Sequence, residues 1–410
     1  MKALGLVLLA GAALALPAAG GSAGDPGITS DQILIGGTVP LSGPASPFGA
    51  VGPGANAYFK YVNAHGGVYG RKIKYLYRDD GYDPSRTIEQ TRELVQQDKV
   101  FAIFNTVGTE HNLAIRGYLN ALGVPQVFGG TGSSSMGRAY KKYPWSMGYL
   151  PSFAGEGAIY GRYIVQHRPK ARIAVLYEDS DYGKDLLNGL KHGLGSKASR
   201  IVATQTYEVT DTDVNSQISR LRASKADTFM IFALPQQAIQ SFVYAYKLSW
   251  HPQIFVSAVS IEPTVIGIAA NATNGRETNN ALSVAFVKDP TSPAWRKDKA
   301  VALYKRIMKR YLPSGKPSDV YNWYGMTVAY SMVDALRHAG RNPSRASLRN
   351  AMTHMNERTN PFLLPGVYVQ TTPSNYFPIA KAKMVRYRKN LWVLFGPLVR
   401  ARQETAGLRC

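Results

Sequence analysis

Short apolar runs alternate with stretches of helical periodicity along most of the chain. Ile33 to Val39 reads as a strand, Gly49 to Asn63 as a helix and Lys72 to Tyr77 as a second strand. A helix from Pro84 to Gln97 follows, with Asp83 placed to cap it and Pro84 at its first position. Strand, helix and strand repeat at Val100 to Phe104, His111 to Leu122 and Gln126 to Phe128. After Tyr149 the alternation restarts, with helices at Gly155 to His167, Tyr182 to Leu194, Val214 to Ala223 and Gln236 to Leu248. The strands between and after them are Arg172 to Tyr177, Ile201 to Tyr207, Asp227 to Phe232 and Gln253 to Val256. Such alternation predicts an α/β chain in two similar halves, each a parallel sheet covered by helices on both faces. The last third is less regular. It offers a strand at Ala281 to Phe286, helices at Trp295 to Tyr311, Asp319 to Ala339 and Arg345 to Met355, and a hairpin of Lys383 to Tyr387 with Leu391 to Phe395.

Two glycine-containing loops sit where strands end. Gly129-Gly130-Thr131-Gly132-Ser133-Ser134-Ser135 follows one apolar run, and Asn105-Thr106-Val107-Gly108-Thr109 follows another. Glycine lets successive N–H groups turn toward a small anion, and Ser and Thr add hydroxyl donors, so two such ends side by side make a crevice suited to a carboxylate. Nothing there reads as catalytic or metal-binding. The seven histidines include no His-Glu-x-x-His, Gly132-Ser133-Ser134-Ser135-Met136 is not a nucleophile elbow, and no strand is followed by G-x-G-x-x-G for a dinucleotide cofactor. The sequence therefore argues against an enzyme and calls for neither metal nor cofactor.

The chain of 410 residues is long enough for two domains. Residues 1–24 stand apart: Lys2, the apolar stretch Ala3 to Leu16, then Pro17 and small residues to Gly24, the pattern of a cleaved export signal. Cys410, in a terminal tail of residues 401–410, is the one cysteine, so there is neither a disulfide framework nor a lipid-anchor thiol behind the signal. The expected location is the periplasm. The formal net charge is +22, of which the signal contributes only Lys2. Its basic residues are spread along the chain, without the clustered, aromatic-interleaved pattern of a nucleic-acid module, so the charge reads as a solvated surface that attracts anions.

Several segments resemble one family. Ile33-Leu34-Ile35-Gly36-Gly37-Thr38-Val39-Pro40-Leu41-Ser42-Gly43-Pro44 looks like the opening strand and loop of periplasmic solute-binding proteins of the leucine/isoleucine/valine-binding type, which serve ABC importers. Asn63-Ala64-His65-Gly66-Gly67-Val68-Tyr69-Gly70-Arg71-Lys72-Ile73, Asp79-Asp80-Gly81-Tyr82-Asp83-Pro84 and Tyr177-Glu178-Asp179-Ser180-Asp181-Tyr182-Gly183-Lys184 resemble later turns of that family, in order, from about residue 28 to about residue 260. The resemblance implies a type I periplasmic binding protein fold, with two doubly wound Rossmann-like lobes joined by a three-crossover hinge that closes on ligand. Lobe one would combine residues 25–150 with about 281–364, and lobe two 151–280 with about 365–400. It also implies a monomer that delivers a small molecule to an inner-membrane ABC permease, or, in the same fold, to a membrane sensor.

Carried over position by position, the resemblance assigns the ligand carboxylate to Gly108, Thr109, Thr131, Gly132 and Ser133. Capping of the helix near Glu110 is the other reading of Thr109. Phe48 and Tyr182 match aromatics that cover the ligand, the alternatives being a helix-entry contact for Phe48 and a structural tyrosine for Tyr182. Tyr149, Phe153 and Ala258 are further wall candidates. Amino-acid binders of the family place an acid after the strand matching Gln253 to Val256, to pair with the ligand ammonium. Here that stretch is Ser257-Ala258-Val259-Ser260, and a buried ammonium without a counter-charge is costly. The favoured ligand is therefore an amine-free carboxylate, in line with a resemblance of Gly123 to Gly148 to the aromatic-acid branch. If the alignment slips by several residues, Glu262 restores an amino-acid ligand.

Overall fold

A computed structural model describes residues 25–401. The export-signal assignment and the terminal tail with Cys410 lie outside the described residues. The first half forms strands β1 (Gln32–Val39), β2 (Lys72–Asp79), β3 (Ala102–Phe104), β4 (Gln126–Gly129) and β5 (Ser146–Gly148), with helices α1 (Val51–Ala64), α2 (Pro84–Gln96), α3 (Thr109–Ala121) and the short α4 (Ser134–Arg138) between them. The strands pair in parallel in the order β2-β1-β3-β4-β5. Asp83 caps α2 as its position suggests, accepting from the Ser85 N–H at 2.8 Å.

The second half starts with α5 (Phe153–His167) and continues through β6 (Ile173–Glu178), α6 (Asp181–Leu194), β7 (Ile201–Tyr207), α7 (Asn215–Ala223), β8 (Thr228–Phe232), α8 (Pro235–Lys247), β9 (Gln253–Val256), α9 (Pro263–Ala272) and β10 (Leu282–Ala285). Helices α10 (Lys299–Tyr311), α11 (Val320–His338) and α12 (Arg345–Met352) follow, then the two-residue strands β11 (Asn356–Glu357) and β12 (Val369–Gln370), and the hairpin β13 (Lys381–Arg388) with β14 (Leu391–Arg400). The second sheet has the order β14-β13-β10-β9-β8-β6-β7, parallel except where β13 and β14 run antiparallel. Helices α10, α11 and α12 bury Tyr304, Trp323, Met326 and Leu348 with Phe59 of α1 and Phe104 of β3, so they belong to the first lobe.

The chain thus crosses between lobes three times, and two crossings differ from the sequence reading. The strand at 282–285 stays in the second sheet, between β9 and β13, and does not open the return to lobe one at 281. Residues 367–379 stay in the first lobe, where Val367, Val369, Tyr376 and Ile379 join its core, so the last crossing falls near residue 380 and not near 365. The physical reason is that a four-residue apolar strand looks the same whichever sheet accepts it; pairing with β9 decides its lobe.

Close packing of α5 on α6 fixes the frame of the second lobe. Gly157 and Gly161 on α5 meet Gly189 and Gly193 on α6, and a Cβ on Gly157 would collide with the Leu186 carbonyl while one on Gly189 would collide with that of Ala154. These helices touch through backbone, so a larger residue there must part them. Gly189→Val is expected to cost about 1 to 3 kcal/mol through overpacking, seen as a lower thermal midpoint. Gly267→Ala in α9, where a Cβ meets open space, is expected to be neutral or to stabilise by up to about 1 kcal/mol through helix propensity. Equal effects of the two substitutions would contradict this packing.

Candidate functional site

The C-terminal ends of β3 and β4 in one lobe face those of β6, β8 and β9 in the other. Between them lies a cavity of about 450 Å³. An apolar cluster runs across it, joining Phe48, Val51 and Val107 of the first lobe to Phe153, Tyr182 and Leu234 of the second. The lobes are closed on one another by polar contacts as well. Asp185 accepts from the Ser134 N–H at 2.6 Å, Asp181 from the Ser135 hydroxyl at 2.8 Å, and Glu110 from the Asp181 N–H at 2.9 Å. On the hinge side the Tyr321 hydroxyl donates to the Val259 carbonyl at 2.9 Å.

Of the residues singled out in the sequence, Phe48, Gly108, Thr109, Phe153, Tyr182 and Ala258 line the cavity. Phe48 is in a short 3₁₀ turn ahead of α1 and meets Tyr321 edge-on, with ring centroids 5.0 Å apart. Tyr182, in the first turn of α6, packs edge-on against Phe153 at 4.9 Å, and its hydroxyl reaches the Ala233 carbonyl at 3.3 Å. Gly108 has φ +109°, a value that side-chain-bearing residues rarely adopt, and this turn swings β3 into α3. Gly108 is itself the cap position of α3, no side chain caps the helix, and Thr109 is its first residue, so the capping role considered for Thr109 is not the one it has. The start of α3, with its N–H groups and partial positive charge, opens on the cavity wall.

Thr131, Gly132, Ser133 and Tyr149 lie behind that wall and not on it. The Thr131 hydroxyl is bonded to that of Thr109 at 2.8 Å and accepts from the Ser133 N–H at 3.1 Å. Gly132 packs where a Cβ would collide with the Pro151 carbonyl. Ser133 caps α4, accepting from the Ser135 N–H at 3.1 Å. Tyr149 is fully buried, its hydroxyl 2.8 Å from that of Ser331 in the first-lobe core. Thr131 of the glycine-rich loop therefore supports Thr109 from behind, while Ser134 and Ser135 reach across to Asp185 and Asp181.

Two buried carboxyls stand on the wall: Glu156, which sequence reasoning passed over, and Glu262, which it weighed as the counter-charge of an amino-acid ligand. Glu156, in the first turn of α5, accepts from the Ala258 N–H at 2.8 Å and the Tyr160 hydroxyl at 2.9 Å. Burial, only partly offset by these bonds, pushes its carboxyl up to about 7. One acid on the buried Phe153, Gly157, Tyr160 face of an otherwise apolar helix was the signal that marks it. Glu262 caps α9, its Oε2 accepting from the Val265 N–H at 2.9 Å, while its Oε1 is buried without a protein partner. Burial raises its carboxyl too. Tyr82, Tyr321 and Tyr324 complete the aromatic lining.

A family model described as "Periplasmic binding protein" matches residues 32–389. The Leu/Ile/Val-binding protein homolog 1 of Brucella abortus is 25% identical over 322 residues, covering 76% of this chain and 80% of that protein. A branched chain amino acid ABC transporter structure from Thermus thermophilus with bound valine superposes with a TM-score of 0.79 at 17% identity, covering 90% of this chain and 96% of that one. A solute binding protein of an ABC transporter from Rhodopseudomonas palustris, in complex with 3,4-dihydroxy benzoic acid, gives 0.74 at 18% identity, covering 92% and 99%.

The Glu156 carboxyl yields a pH test. Its value in the folded protein, about 7, lies above the ordinary 4.5, so between these the folded state holds more protons than the unfolded one. The stability it contributes is complete below 4.5 and is lost as pH rises through about 7. The thermal midpoint of Glu156→Gln is expected to fall less than that of the unsubstituted protein between about pH 5 and about pH 8. Parallel profiles would show that the carboxyl does not titrate in this window.

Proposed function

The chain belongs to the periplasmic binding protein family, and we propose that it is the exported solute-binding component of an ABC importer, taking a small amine-free carboxylate with an apolar or aromatic body. The observation that carries this reading is the pairing of the uncapped start of α3 with an otherwise largely apolar cavity. A carboxylate there meets N–H donors and the positive end of the helix, and the rest of the molecule meets Phe48, Phe153, Tyr182 and Tyr324. Closure of the lobes around it removes apolar surface from water on both sides, and the closed monomer is the form a permease would recognise. The 3,4-dihydroxy benzoic acid complex of the Rhodopseudomonas palustris protein is in keeping with such a ligand.

Glu262 supports a second reading. Its carboxyl lies on the cavity wall and would supply the counter-charge for an ammonium, which gives an α-amino acid as ligand, in keeping with the valine-bound Thermus thermophilus structure. Glu156 is the poorer counter-charge, because one of its oxygens already accepts two hydrogen bonds and burial favours its neutral form.

Thermal-shift measurements on the signal-free protein separate the two. Ligand at about 100 times its dissociation constant adds roughly 2.7 kcal/mol, enough to raise the midpoint by several degrees. Benzoates, hydroxycinnamates and aliphatic monocarboxylates are expected to raise it, leucine and valine to leave it in place, and Glu262→Gln to keep the response to acids. A shift with leucine alone, abolished by Glu262→Gln, would overturn the amine-free reading in favour of the amino acid.

A further inference from the structure

The cavity exceeds the space that a single-ring acid fills. An apolar cavity of roughly 150 Å³ holds one benzene ring, and this one measures about 450 Å³. A benzoate or a leucine would leave most of it unfilled, and unfilled apolar space forfeits the packing contacts that its lining could make.

The surplus lies beside the hinge. At Ala285 the chain leaves the second sheet for the first lobe, and β13 and β14 extend that sheet beyond β10, with Ala285 opposite Lys383 and Val385 opposite Leu394. Ala285, Val385, Trp392 and Leu394 share the sheet face that packs with Ile266 and Ala269 of α9. All four also line the same continuous cavity as Phe48 and Thr109, with Trp295 and Leu364 of the first lobe on it as well. The ligand space therefore bends round the end of β10 onto the α9 side of the second lobe. Its charged groups are largely engaged. Lys288 pairs with Asp298 at 2.8 Å and lies over the Trp295 ring, and Asp289 Oδ1 accepts from the Thr291 N–H and hydroxyl, leaving Oδ2 without a partner.

We propose that this extension receives the apolar tail of the solute, and that the solute is a monocarboxylate with a body of acyl-chain length. The inference rests on the carboxylate reading above and specifies its class: the head group is held at the start of α3, and the tail passes the end of β10 to lie against Trp392 and Leu394.

Titration calorimetry of the signal-free protein with linear monocarboxylates from butanoate to decanoate tests it. Each added methylene that enters the extension is expected to tighten binding by about fourfold. Ala285→Phe, which fills the passage, and Leu394→Gln, which makes its wall polar, are each expected to flatten that gain, read as the ratio of decanoate to butanoate affinity. Far-UV circular dichroism checks each variant's fold, and either variant alone suffices for the test. Butanoate and benzoate binding with no gain for longer chains would overturn the extension while leaving the carboxylate reading standing. A gain that survives in a folded variant would place the tail elsewhere and overturn it too. No binding by any acid would overturn both.

Discussion

Two parallel sheets that face each other by their strand ends bring the starts of several helices to one interface, and every helix start carries N–H groups that need partners. Most of the architecture at the cleft follows from how these are met. The first amide of α4 is bonded to Asp185 from the opposite lobe, and that of α6 to Glu110 from the opposite lobe. Within their own lobe, Ser152 serves α5 and Glu262 serves α9. Helix α3 begins at a glycine with no capping side chain and faces the cavity. The same constraint that ties the lobes together at α4 and α6 leaves a polar grip for an anion at α3.

Closure draws on modest energies. Interlobe hydrogen bonds such as those at Asp185, Asp181, Glu110 and Tyr321 each contribute about 0.5 to 1.5 kcal/mol net, and more where a carboxylate keeps its charge. Burial pushes the Asp185 carboxyl up to about 6, so it gives up its charge, and this gain, as pH falls below that value. A set of contacts of this size is comparable with what one buried ligand adds, so a ligand that touches both lobes is able to decide the hinge equilibrium. The apolar cluster that joins Phe48 to Phe153 and Tyr182 adds its own burial across the cleft.

Much of the fold was legible in the sequence because its signals are local. Apolar runs bounded by turns located β1 to β4 and β6 to β10, and Asp83 ahead of Pro84 located the start of α2. What was illegible depends on contacts distant in sequence. Strand β10 joined the second lobe through its pairing with β9, and β13, a hundred residues on, joins that sheet only through β10. Thr131, Gly132 and Ser133 look like ligand donors in sequence, yet in space they are consumed by Thr109, Pro151 and the start of α4. Tyr149 reads as a wall residue beside a lobe crossing and is in fact anchored to Ser331 in the core. Phe48, Thr109 and Tyr182 reach the cavity from turns at strand ends, as turns in a doubly wound sheet do, whereas Glu156 reaches it from a helix start that no local signal marks as part of the cleft.

The account depends most on where the ligand carboxylate sits. A crystal structure of the signal-free protein with a carboxylate that stabilises it would decide this. The expected result is a carboxylate oxygen within hydrogen-bonding distance of the Thr109 N–H or hydroxyl, with the apolar body running toward Tyr324 and Trp392. A carboxylate turned to the second lobe, or a ligand bound outside the interlobe cavity, would contradict the assignment of α3 as the anion grip.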